Sequence, residues 1–150
     1  YCDREEDSSI SEAFGCWHHS RQSTCGGGLG KISGQRGMVA KQYVPERGDL
    51  VWINLSPTRG HEQRGRRPAL VVSPRIFNGK SSLALVCPIT SKQKGYPFEV
   101  PLTKGKVNGS VLVDQIRSID WASRKTTRIQ KASPTVLAEV QERLRVLLFD

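Results

Sequence analysis

The chain has 150 residues and a mass of 16.7 kDa, with 37% hydrophobic and 25% charged side chains. That length suits one compact domain with a short appendage and excludes two independent cores, and no run approaches the roughly 18 apolar residues of a membrane-spanning helix. The 23 Lys+Arg against 14 Asp+Glu leave a net charge of +9, which favours polyanionic partners.

The charge is unevenly placed. Residues 1–37 hold four basic and five acidic side chains, so the basic excess belongs to residues 38–150. The first segment shows neither strand alternation nor a helical stripe, and it ends in the glycine-rich run 26–30. It is expected to be disordered or a non-native extension from an over-extended reading frame, with Met38 as the natural start. Cys16, His18, His19 and Cys25 follow no common zinc spacing, and their clustering reads as chance composition.

From Val44 the pattern changes. Leu50–Leu55 reads as a strand, followed by a polar, Gly-rich loop from Pro57 to Arg67. Ala69–Ser73 reads as a second strand stopped by Pro74, and Leu83–Cys87 as a third ending at Pro88. Short strands are expected at Phe98–Val100 and Ser110–Val113, with another at Gln115–Ile119 extending through Trp121. Lys106–Gly109 is a turn candidate because Asn-Gly tolerates positive φ. Ser133 and Pro134 then open an amphipathic helix with Leu137, Val140, Leu144 and Leu147 on one stripe. No crossover helix separates the strands, which excludes a parallel α/β fold. The expectation is a small, mainly β barrel of five to seven strands with one C-terminal helix. Cys87, alone among the patterned residues, reads as a buried thiol.

The chemistry concentrates in two loops. Arg59-Gly60-His61-Glu62-Gln63-Arg64-Gly65-Arg66-Arg67-Pro68 packs four arginines, an imidazole and a carboxylate into ten residues. Guanidinium forks match phosphate oxygens and can stabilise charge that grows in a transition state. Glu62 could accept a proton or orient an arginine, and composition leaves both roles open. The second loop, Thr90-Ser91-Lys92-Gln93-Lys94-Gly95-Tyr96-Pro97, offers hydroxyl donors, two ammonium groups and an aromatic ring on which a base could stack. Lys104, Lys106, Arg117, Arg124, Lys125, Arg128 and Lys131 extend the basic supply.

Together these segments carry a family resemblance. Residues 38–52, Pro57–Gln63, Gly65–Ala69, Val72–Pro74, Pro88–Thr90, Lys94–Val100 and Asp114–Trp121 resemble, in order, the MazF/PemK toxins of bacterial toxin–antitoxin systems. The resemblance covers about residues 38–148 and leaves out residues 1–37. It implies a homodimeric SH3-like small barrel of the CcdB/PemK type, with residues 38–150 as the toxin domain. It further implies a cytoplasmic endoribonuclease that cuts single-stranded RNA, commonly mRNA, at short sequences without metal or cofactor. The ribose 2′-OH attacks the adjacent phosphorus, leaving a 2′,3′-cyclic phosphate and a 5′-OH.

Carried over residue by residue, the resemblance makes Arg67 the central catalytic group, Thr90 its partner at the phosphate and Glu62 the required carboxylate. Gln63, Arg66, Lys92, Lys94 and Tyr96 become candidate RNA contacts, and the residue types of the two loops add Arg59, His61, Arg64 and Ser91. His61 stands where relatives often carry serine, and Arg66 where they often carry histidine, so another member's cleavage sequence does not transfer. The implied protein partner is a labile antitoxin with an acidic C-terminal segment, and operator DNA is met only through that complex. Two other classes remain open: a non-catalytic nucleic-acid-binding barrel, and a CcdB-like toxin that poisons a protein target.

Overall fold

A computed structural model describes residues 43–149 apart from positions 58, 64 and 104. The extension 1–37 with its cysteines and histidines, the Met38 start, Arg64 and Lys104 lie outside the described residues. Within them the chain forms β1 (Asp49–Asn54), β2 (Arg66–Val71), α1 (Arg75–Ser81), β3 (Leu83–Thr90), β4 (Glu99–Leu102) and β5 (Gly109–Leu112). A 3-10 turn at Val113–Gln115 leads to β6 (Arg117–Asp120), β7 (Thr127–Lys131) and α2 (Pro134–Phe149).

All the strand pairings are antiparallel, in the order β4-β5-β3-β2-β1-β7 with β6 against β3. The long β3 organises the sheet by changing partners along one edge. Its first half pairs with β6, ending at Val86–Arg117, and its last residues pair with β5 from Ile89–Val111. Pro88 falls between those two ladders, where an interruption costs least, so the strand does not stop there but runs on to Thr90.

Alternation along the strands divides the apolar side chains between two faces. Leu50, Leu70, Cys87 and Ile89 join Val100, Val111, Val113, Val140 and Leu144 in one core. Val51, Ile53, Ala69, Val71, Ala84 and Val86 join Ile119 and Trp121 in the other. Helix α2 closes the first core with Val140 and Leu144, while Leu147 at the far end of the expected stripe is 38% exposed. The Ser133 hydroxyl caps it, accepting from the Val136 amide at 3.3 Å. Burial pushes the Cys87 thiol up to about 12, with the Asp114 charge adding to the effect.

The mainly β, SH3-like small barrel with its C-terminal helix is therefore borne out. Two elements escaped the sequence reading. Helix α1 follows Pro74, which was expected only to end a strand. Its Arg-Ile-Phe-Asn-Gly-Lys-Ser sequence is a poor helix former held by tertiary contacts. Asn78 is fully buried and donates to the Pro45 carbonyl at 2.8 Å, while its own carbonyl accepts from the Trp121 indole at 2.9 Å. Strand β7 lacks an apolar alternation because it lies at the sheet edge, where main-chain pairing with β1 suffices.

Candidate functional site

Arg67 and Thr90 come together through strand register. Ala69, Leu70 and Val71 of β2 face Pro88, Cys87 and Val86 of β3. Continuing that register by two residues directs Arg67 towards the end of β3 that carries Thr90. Both line one open cleft of about 760 Å³. On the other edge Thr90 pairs with Ser110 of β5, which Gly109 makes possible. A Cβ at Gly109 would lie 2.3 Å from the Thr90 carbonyl oxygen. The nearly buried Thr90 hydroxyl oxygen accepts from the Lys92 amide at 3.2 Å, which leaves its proton to be donated into the cleft.

The loop between β1 and β2 is tied down from both sides. The Leu55 amide donates to the Gly65 carbonyl at 2.9 Å, and the Gly65 amide to the Ser56 hydroxyl at 3.1 Å. Gly65 has φ +82°, a turn that side chains disfavour. From across the fold, Gln115 accepts from the Gln63 amide at 3.1 Å, and Arg124 donates to the Asn54 and Ser56 carbonyls at 2.6 and 3.0 Å. Arg117 donates to Glu62 at 2.6 Å and also reaches the Leu55 carbonyl. Those contacts aim His61 and Gln63 at the cleft.

The second loop is built around a carboxylate. Glu99 is 6% exposed, and one of its oxygens accepts the Lys94 and Gly95 amides, each at 2.9 Å. Its main-chain carbonyl accepts from Arg143 of α2, which is paired in turn with Glu139. This clamp holds Ser91, Lys92, Lys94 and Tyr96 along the cleft wall. Burial raises the Tyr96 phenol well above its ordinary range, and a hydrogen bond to Asp114 pushes the same way, so it stays a protonated donor at neutral pH.

The expected site residues thus divide. Arg67, Thr90, His61, Gln63, Ser91, Lys92, Lys94 and Tyr96 line the cleft. Glu62 does not; it is engaged with Arg117 beside it. Arg59 is exposed on the loop away from the lining, and Arg66 faces a neighbouring groove, its guanidinium 5.8 Å above the Trp52 ring. Residue reasoning overlooked Glu99, Asp114 and Gln115, although all three sit inside the motifs that carried the resemblance. Among the described residues no three His, Cys, Asp or Glu side chains gather as metal ligands would.

The cleft can bind a phosphodiester through Arg67 and the two lysines, with Thr90 as a neutral donor, while the Tyr96 proton is committed to Asp114. Residues 46–148 match the model of the PemK-like, MazF-like toxins of type II toxin–antitoxin systems. The chain belongs to that family. It is 41% identical over 110 residues to the endoribonuclease toxin MazF of Escherichia coli K12, covering 73% of this chain and 99% of that toxin. The crystal structure of MazF from Deinococcus radiodurans superposes with a TM-score of 0.69 at 53% identity, covering 71% of this chain and 98% of that one. A MazE–MazF structure from the same organism superposes at 0.65, also at 53% identity, over 71% and 97% of the two chains. No helix among the described residues is long and apolar enough to cross a membrane.

Proposed function

We propose that this chain is a sequence-specific endoribonuclease toxin that cuts single-stranded RNA, mRNA included, in the cytoplasm. Residues 38–150 form its toxin domain. The observation that carries the reading is that Arg67 and Thr90 line one cleft together with Lys92 and Lys94.

The reaction joins the ribose 2′-oxygen to phosphorus and breaks the bond to the 5′-oxygen, without a metal. One proton leaves the 2′-OH and another reaches the departing oxygen, while negative charge grows on the phosphoryl oxygens. Arg67 meets that growing charge and can deliver the second proton; Thr90 donates to the same phosphoryl group. Glu62 is a positioning residue, because its ion pair with Arg117 anchors the loop that carries His61. His61 lines the cleft and offers an imidazole nitrogen to take the first proton.

A cognate antitoxin with an acidic C-terminal segment neutralises the toxin by occupying the lysine-walled cleft in place of RNA. The toxin works as a homodimer, a state supported by the exposed Val146, Leu147, Leu148 and Phe149 at the end of α2. The test is end-labelled RNA incubated with the protein in EDTA. Fragments with cyclic-phosphate and 5′-OH ends are expected. Binding without cleavage would instead mark a nucleic-acid-binding barrel, and neither binding nor cleavage a toxin aimed at a protein.

A further inference from the structure

Beside the main cleft lies a second groove of about 440 Å³ whose Trp52, Arg66, Lys106 and Asn108 take no part in the cleavage mechanism. Its floor is the face of β1 and β2 opposite to the one that Arg67 shares with Ala69 and Val71. Trp52 stands there 38% exposed, an unusual outlay of apolar surface for a strand residue, with Arg66 over its ring. Trp52 faces Pro68 across the ladder, and Asn54 faces Arg66, so the two side chains are diagonal neighbours on one face. The far wall is the segment Lys106–Asn108, whose Lys106 amide is anchored on the Gln130 side chain at 2.9 Å.

The two depressions share part of their lining. Arg67 and Ser91 line both, so a strand bound at Arg67 has a direct path into the second groove. We propose that this groove is a nucleobase subsite for a nucleotide flanking the cleaved bond. The Trp52 indole supplies the stacking surface, Arg66 and Lys106 hold the neighbouring phosphates, and the Asn108 side chain presents donors and an acceptor to the base edge. The assignment rests on the endoribonuclease reading and adds to it a place where one base outside the reacting centre is held.

RNA is the occupant because aromatic plane, cations and amide are combined, and because the groove opens from the phosphate site itself. An acidic peptide would use the cations but leave the ring without a partner. Arg66 fits this role because its guanidinium lies 5.8 Å from the Trp52 ring centroid and lines this groove rather than the main cleft.

The experiment uses the full chain and a synthetic RNA containing a cleavage site mapped for the parent protein. A 2′-deoxy substitution at the cut position removes the nucleophile, and abasic residues replace the flanking bases one at a time. Binding is followed by fluorescence anisotropy. At one flanking position the abasic change should weaken binding to the parent at least about fivefold. Trp52→Ala should weaken binding of the intact oligonucleotide by a similar factor and bind the abasic one no worse, because both changes remove the same stack. Trp52→Phe should retain most of the affinity.

If Trp52→Ala does not fold, protein labelled with 5-fluorotryptophan serves, its Trp52 resonance assigned through Trp52→Phe. That resonance should move with the intact oligonucleotide and not with the abasic one. Additive losses at every position overturn the subsite, as does parent-like affinity in Trp52→Ala. A Trp52→Ala effect confined to antitoxin binding or oligomeric state overturns it too. Failure of the parent to cut any RNA overturns the endoribonuclease reading and the subsite with it; cutting without coupling to Trp52 overturns the subsite alone.

Discussion

Gly109→Ala is the perturbation that most directly connects the fold to the site. Gly109 has φ +144°, and its missing Cβ is replaced in space by the Thr90 carbonyl oxygen 2.3 Å away and the carbonyl carbon at 2.9 Å. Both obstacles are backbone, so β5 must retreat from β3 by about 1 Å to reach ordinary contact. Local strain costs about 1–3 kcal/mol, and weakened pairing at Thr90–Ser110 adds about 1 kcal/mol. A loss of roughly 2–4 kcal/mol in a domain of this size lowers Tm by on the order of 10–20 °C.

Because the obstructing atoms belong to Thr90, which loses its β5 support as that strand retreats, turnover should fall further than stability explains, by up to about 100-fold at a temperature where the variant is folded. Circular dichroism melts and cleavage of a labelled RNA at 20 °C below the variant's midpoint measure the two effects. Gly60→Ala is the control. That glycine also has positive φ, +62°, but nothing lies within 4 Å of its Cβ position, so only about 1 kcal/mol should be lost. A Gly109→Ala protein that melts within about 2 °C of the parent and cuts at the parent's rate would refute the claim that β5 holds Thr90 in place.

Arg67→Ala should lower the cleavage rate at saturating RNA by at least about 100-fold, since a donor directed at the transition state contributes about 3–4 kcal/mol. Rapid-quench kinetics would show this, and retention of most of the turnover would remove Arg67 from the centre of the mechanism. His61→Gln should lower the cleavage rate at saturating RNA by about 100-fold, the contribution of a positioned proton acceptor; unchanged turnover would assign the proton elsewhere. Cys87, with its thiol pushed up to about 12 by burial, should resist alkylation by iodoacetamide at pH 8 in the native protein and react once the chain is unfolded. Peptide mapping by mass spectrometry reads that difference, and native labelling of Cys87 would contradict its burial.

Local pattern determined much of this protein. The apolar runs of β1, β2 and β3 and the 3.6-residue stripe of α2 announce themselves, because each element's burial is written in its own side chains. Both basic loops are visible for a similar reason: arginines, lysines and hydroxyls cluster within ten residues of chain. Helix α1 is invisible because Asn78 is an asset only when Pro45 and Trp121 are folded against it. Strand β7 is hidden because an edge strand is selected by the hydrogen bonds of its neighbour rather than by an apolar face. Pro88 misleads because its tolerance depends on β3 changing partners at that point.

At the site, residue types could be listed from sequence but not assigned to places. Glu62 and Arg67 are five residues apart, yet one is paired with Arg117 beside the cleft and the other lines it together with Thr90. Glu99 looks like an ordinary strand-start charge until the Lys94 and Gly95 amides are seen pointing at it. The sequence by itself settled which kind of fold and chemistry to expect, since periodicity and composition are local properties. Only the tertiary structure decided which cation meets the phosphate, which carboxylate braces a loop and which ring lies beside the cleft, because each of those outcomes depends on contacts between segments far apart along the chain.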